Sequence, residues 1–256
     1  MTTAEKFVLL VTIFWFSHNH FIYAQEIPHI EKVGNRHQLI VNDKPFLILG
    51  GELGNSTGTT LESMQPVWQR LEDLHLNTVL IPVYWELLEP QEGKFDFQLV
   101  DDLIKEARAH DLKIVFLWFG AWKNSMSSHV PAWVKLDQKR FPRAKSESGQ
   151  SQEILTPFSE NNLAADLKAY QQMMQHIQKI DSQEQTVIMM QPENEIGMLP
   201  SARDHSKRAN AKFNEEVPPE LIKYLVKNKK NLNPEFSKIW QENGFKTKGN
   251  WEIIFG

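Results

Sequence analysis

The sequence predicts an α/β fold, the N-terminal half of a (β/α)8 TIM barrel preceded by a short β-hairpin, and three observations carry that prediction. Short apolar strand patterns alternate with amphipathic helical ones, which requires a parallel sheet with right-handed crossovers. The strand patterns end in polar or aromatic residues: Glu52, Trp85-Glu86, Trp118 with Trp122, Lys123 and Asn124 just beyond, and Asn194-Glu195. Barrel active sites are built from those C-terminal strand ends. Four strand–helix units account for most of the chain, where a closed barrel has eight. A doubly wound sheet is the competing arrangement, but the glycine-rich turn at 50–54 (GGELG) does not match the GxGxxG fingerprint such a sheet uses for nucleotides.

The elements follow in order. Residues 1–6 carry one lysine and the free amine, residues 7–16 (FVLLVTIFWF) form an apolar run, and a polar stretch leads to Ala24-Gln25. This reads as a secretory signal peptide over 1–24, cleaved after Ala24, with residues 25–256 forming an incomplete barrel domain that is exported to the periplasm or beyond. The run is too short to cross a bilayer core of ~30 Å as a helix, and no other stretch qualifies. Residues 38–50 (QLIVNDKPFLILG) are two apolar runs around Asn42-Asp43-Lys44-Pro45, a hairpin pattern. Pro66 is read as opening a helix with Val67, Leu71 and Leu74 on its inner face. Residues 78–84 (TVLIPVY) form a strand buried on both faces. Residues 97–109 form a helix facing inward through Val100, Leu103, Ile104 and Ala107. Residues 112–119 (LKIVFLWF) are the next buried strand, and the polar stretch 137–162 is read as a long loop. Leu163, Leu167, Tyr170, Met174 and Ile177 make a helical stripe, residues 186–191 (TVIMMQ) a last strand, and the remainder is helical and rich in charge.

Composition narrows the function. The chain is 41% apolar and 23% charged with a net charge of −4, an ordinary globular make-up with no basic face for nucleic acid. It has no cysteine, which removes disulfides, thiol nucleophiles and cysteine zinc sites together. His75, His110, His129, His176 and His205 show no paired ligand spacing, so no metal or other cofactor is implied. Asn55-Ser56-Thr57 is a glycosylation triplet of a kind common by chance. The eight tryptophans are many for this length, and Trp is often recruited to flat sugar surfaces as well as to cores.

Glu195 is the centre of the chemistry. A carboxyl at the end of a buried strand is costly unless it is used or satisfied. Partial burial would favour its protonated form, which a general acid needs to protonate a leaving oxygen. Asn194, on the same turn, can donate a hydrogen bond to a substrate hydroxyl. Glu193 is read as structural, its side chain alternating away from the neighbours of Glu195 or capping the next helix.

A resemblance now becomes specific. Residues 76–79 (LNTV), Tyr84-Trp85 and 89–97 (EPQEGKFDF) resemble the second strand–helix unit of clan A glycoside hydrolases, in particular the family 35 and family 42 β-galactosidases. Gly51-Glu52-Leu53, Pro131-Ala132-Trp133 and 191–197 (QPENEIG) fit that pattern in order and spacing, and 117–124 (LWFGAWKN) is similar to exported bacterial members. The resemblance covers residues 34–197. It implies a saccharide substrate, Glu195 as the acid/base of a retaining β-galactoside hydrolysis, and Asn194 on the sugar 2-hydroxyl. Trp85, Trp118 and Trp122 would offer faces to the ring, and Lys123, Asn124 and Glu52 would bond its hydroxyls.

The family's nucleophile is a glutamate at the end of the seventh strand. Only four strand patterns occur by Gln191, and Glu252 sits on the wrong element to replace it. The sequence therefore reads as the N-terminal portion of such an enzyme, inactive by itself, with one sheet edge and an apolar helix-facing surface left open. A reading of another class is a non-catalytic carbohydrate-binding or structural protein that keeps the sugar-facing mouth.

Overall fold

In a computed structural model, residues 26–197 and 201–256 are described. The expected signal peptide therefore lies outside the described residues. The chain opens on an antiparallel meander of β1 (His29–Val33), β2 (Arg36–Val41) and β3 (Lys44–Phe46). Asn42 and Asp43 both take the left-handed backbone conformation between β2 and β3, as a two-residue hairpin turn requires.

The main sheet follows: β4 (Gly50–Glu52), β5 (Thr78–Tyr84), β6 (Lys113–Phe119) and β9 (Val187–Pro192) lie side by side, all parallel, in chain order. Sequential parallel order with a helix after each strand is the arrangement of a barrel wall, here half of one. The period-2 alternation is clean in β5 and β6, while β9 carries an irregularity after Val187. Val79, Ile81 and Val83 of β5 and Ile114, Phe116 and Trp118 of β6 join the helix-side core. Tyr84 of β5, Val115, Leu117 and Phe119 of β6, and Ile188 of β9 pack on the other face with Val41, Leu39 and Phe46 of the meander. The meander thus covers the face that a closed barrel would turn inward.

The helices are α1 (Leu61–Asp73), α2 (Trp85–Leu88), α3 (Gln98–Ala109), α4 (Ala132–Leu136), α5 (Glu160–Asp181) and, toward the C-terminus, α6 (Lys207–Phe213), α7 (Pro219–Lys227), α8 (Pro234–Glu242) and α9 (Trp251–Phe255). The inward face of α3 is the expected one: Val100, Leu103, Ile104 and Ala107 are all buried. Trp240, Ile254, Val217 and Leu225 make a separate core under the last helices, of which the final one spans residues 251–255.

Three local expectations are corrected. Helix α1 does not open at Pro66: Thr60 caps it by accepting the Ser63 N–H at 3.2 Å, and Pro66 sits inside the helix on its exposed side. Its inner face is accordingly Met64, Trp68 and Leu71, while Leu74 lies past the helix end and is exposed. Helix α5 buries Ala169, Met173 and Ile177, while Leu163 and Leu167 stay exposed. Tyr170 and Met174 of the expected stripe flank the buried face, half-buried. Hydrophobicity alone does not report which face has a neighbour. The stretch 137–162 is no free loop: β7 (Arg143–Lys145) and β8 (Ser151–Leu155) form an antiparallel hairpin, tied down where Ser127 Oγ accepts the Leu155 N–H at 2.7 Å.

Beside β9 the expected open surface is present. Ile27, Met174, Ile177, Val187, Ile188 and Met189 line a groove of about 390 Å3 along the strand. No helix among the described residues is long and apolar enough to cross a membrane.

Candidate functional site

Parallel strands place their C-terminal ends on one side of the sheet, so Glu52, Trp85, the 119–125 loop and the 192–195 turn share that end. The turn after β9 is unusual. Glu193 and Glu195 both adopt left-handed backbone angles (φ 61° and 50°), as do Asn124 and Ser125 in the facing loop (51° and 56°). Such angles in non-glycine residues cost on the order of 1 kcal/mol each and persist only where the surroundings hold them.

Here they are held by bonds between the two loops. The Asn194 N–H donates to the Trp122 carbonyl at 3.2 Å, and the Ser125 N–H donates to the Glu195 carbonyl at 3.2 Å. Lys123 Nζ donates to Asn194 Oδ1 at 2.6 Å and to Asn124 Oδ1, and lies over the Phe119 ring at 4.7 Å from its centroid. Lys123 is buried, so its ammonium is oriented by these two amides rather than by water. The arrangement fixes the Asn194 amide: with its oxygen engaged by Lys123, its two N–H donors are left to point elsewhere.

The expected residues separate into two groups. Asn194, Lys123 and Asn124 are brought together by direct bonds. Glu195 stands beside them and is exposed, as are Glu52 and Asn124, while Trp122 is half-buried. The burial expected of Glu195 is found instead at Glu193. Trp85 and Trp118 are the corrections within the set: they are 0% and 1% exposed, so neither ring has a face to offer a ligand. Trp85 donates its indole N–H to the buried Glu89 at 2.8 Å and packs edge-on against Trp133. Trp118 takes the helix-side position that strand alternation gives it and donates its indole N–H to Asp166 at 3.0 Å.

Two further residues shape the site: Glu193, read from the sequence as structural, and Asp166, which the sequence did not single out. Glu193 neither caps a helix nor turns away from the turn. Its Oε1 accepts the Ala121 N–H at 3.1 Å and its Oε2 the Trp122 N–H at 2.6 Å. Asp166, from the second turn of α5, reaches the same spot, its carboxyl meeting that of Glu193 beside Gly120. Burial first, and then the facing Asp166 carboxyl, pushes the Glu193 carboxyl up to about 10. Burial likewise raises Asp166, against the bonds it receives. Asp166 carried no signal in the sequence beyond an acidic residue set among apolar helix positions.

Among the described residues no group of three acidic or histidine side chains could hold a metal ion. The arrangement is a polar strand-end turn with an exposed carboxyl, an oriented amide and an ammonium, suited to hydroxyl-rich ligands. The sequence profile of glycosyl hydrolases family 35 matches residues 38–254. The chain belongs to that family. Its members' chemistry is glycoside hydrolysis, and the resemblance in the 76–97 and 191–197 segments implied this assignment. A β-galactosidase of Xanthomonas manihotis is 33% identical over 81 residues, which cover 30% of this chain and 13% of that protein. A solved β-galactosidase from Bacillus circulans sp. alkalophilus superimposes with a TM-score of 0.51 at 15% identity, covering 81% of this chain and 27% of that one, which shows a shared fold. The family 35 chain thus spans well under two thirds of either relative.

Proposed function

We propose that the strand-end turn is the acid/base side of a β-galactoside-hydrolysing site, working with retention of configuration. Glu195 donates a proton to the glycosidic oxygen and then activates water, while a second carboxylate about 5–5.5 Å away attacks the anomeric carbon. The resemblance places that second carboxylate at the end of a seventh strand, which the four parallel strands among the described residues do not supply, and the chain alone is expected to be inactive. Asn194, its oxygen held by Lys123, presents its N–H donors to the sugar 2-hydroxyl. Asn124 and Glu52 take further hydroxyls, and Trp122 offers its partly open face to the ring. Trp85 and Trp118 serve beneath this surface, orienting it. The export of the protein to the periplasm or beyond belongs to the same reading and rests on residues 1–24.

One observation carries the proposal: within a family 35 chain, Asn194 and Glu195 stand at a parallel strand's C-terminal end with Lys123 bonded to the amide. The galactoside class is supported by the name of the Xanthomonas manihotis relative. The test is hydrolysis of an aryl β-galactoside by a polypeptide that carries this chain together with the missing barrel strands. Replacement Glu195→Gln is expected to lower kcat by about 10²–10⁴-fold for a substrate with a poor leaving group. Unchanged kcat, or turnover by residues 25–256 alone, would contradict the proposal. Galactoside binding without turnover in the longer polypeptide would instead support the non-catalytic reading.

A further inference from the structure

Beneath the 192–195 turn, three groups converge on Gly120. A Cβ placed on that glycine would lie 2.2 Å from Trp118 Nε1, 2.3 Å from Asp166 Oδ1 and 2.9 Å from Glu193 Oε1. The space is filled by two carboxyl groups and an indole N–H, so only glycine fits. Glu193 takes the Ala121 and Trp122 N–H groups, one on each oxygen, and Asp166 Oδ1 takes the Trp118 indole. Each residue as a whole is half-buried, but the two carboxyl groups face each other inside. Two facing carboxylates have only acceptors, and without a proton between them they repel at low dielectric.

Three elements pack around the pair. From the 119–125 loop the charged group is Lys123, whose ammonium turns to Asn194 and Asn124. Helix α5 contributes Asp166 itself and Tyr170, whose ring packs on Trp118 at 5.9 Å between centroids. The end of β9 contributes Glu193 and the exposed Glu195.

We propose that Glu193 and Asp166 share one proton and act together as positioning residues, pinning the end of β9 to the 120–125 loop and so setting where Asn194 and Glu195 stand. That last consequence rests on reading the turn as the sugar site; the shared proton does not. Like two carboxyls sharing one site elsewhere, the pair titrates as a unit rather than residue by residue. The raised pKa of Glu193 agrees with this. Loss of the proton at alkaline pH sets two negative charges against each other and loosens the grip on the Ala121 and Trp122 amides.

The test is NMR on the whole chain with 13C-labelled Asp and Glu carboxyls and 15N-labelled amides and indoles, titrated from acid to alkaline pH. The expected result is one carboxyl of the pair still protonated at neutrality, with the Trp118 indole and the Ala121, Trp122 and Asn194 amides moving with the same alkaline midpoint. Ionisation of both carboxyls in the ordinary acidic range overturns the proposal, and this wild-type result needs no variant to fold. Asp166→Asn supplies an amide donor where the proton was; it is expected to abolish the alkaline titration and keep the amide pattern of neutral wild type. Persistence of that titration in Asp166→Asn likewise overturns it. If the chain titrates as expected while a polypeptide carrying it together with the remaining barrel strands binds no galactoside, the pair is confirmed and the sugar-site reading refuted, so the two failures are told apart.

Discussion

Asp204 and Glu193 are both held by two backbone N–H groups, yet their carboxyls are driven in opposite directions. Asp204 accepts the Lys145 N–H at 2.9 Å and the Ser206 N–H at 2.7 Å, together with the hydroxyls of Ser206 (2.9 Å) and Thr156. Burial pushes it up, but these donors outweigh burial and hold it below the usual carboxylate range. Glu193 has the same number of backbone donors, but its remaining neighbour is another carboxyl. What faces a buried carboxyl, a hydroxyl that can give a proton or an acid that must share one, decides its charge. Asp204 ties the 143–155 hairpin to the start of α6 as a carboxylate; Glu193 ties β9 to the β6 loop in partnership with an acid.

The pH dependence separates the two sites. Glu193 has a folded pKa above its unfolded value of 4.5, so its contribution to stability is full below about 4.5 and is lost as pH rises toward about 10. Asp204 has a folded pKa below 3.8, so its contribution is present above that value and is lost as pH falls through the folded pKa.

The largest expected effect is from Glu193→Ala. It strands two backbone N–H groups and the Asp166 carboxyl in a closed space and should cost about 3 kcal/mol or more in urea denaturation, with Glu193→Gln markedly milder. A cost no larger than that of Glu193→Gln would mean the site is open to water. Gly120→Ala should come next, at about 1–3 kcal/mol, because the new methyl meets atoms at 2.2 and 2.3 Å. A neutral effect there would show that the carboxyl pair can separate. Asp204→Asn should be smaller, about 1–2 kcal/mol near neutrality. It should flatten the acid side of the thermal-stability profile, whereas Asp166→Asn should flatten the alkaline side. Equal changes on both sides in either variant would break the contrast.

These sites were unequally legible in the sequence. Strands β5 and β6 were readable because both of their faces are buried, leaving continuous apolar runs at 78–84 and 113–119. The Asn194-Glu195 turn was readable because its local sequence carries a family pattern. The β7–β8 hairpin was not: its strands are short, with Arg143, Lys145, Ser151 and Glu153 among their residues, and are fixed by bonds to Ser127 and Asp204 from other segments. The face of α5 was misjudged because Leu163 and Leu167 lie on its exposed side, not against the core of the described residues. The placement of Trp118 was misjudged because position at a strand end does not say which face a side chain takes; alternation from Val115 and Leu117 does. Asp166 meeting Glu193 is a purely tertiary fact.

The decisive experiment is amide-resonance mapping of a β-galactoside titrated into a polypeptide that carries this chain together with the remaining barrel strands. Shifts are expected to concentrate at Lys123, Asn124, Asn194 and Glu195 and to be lost in Asn194→Ala. Shifts confined to the apolar groove along β9, or none at saturating sugar, would contradict the sugar-site reading.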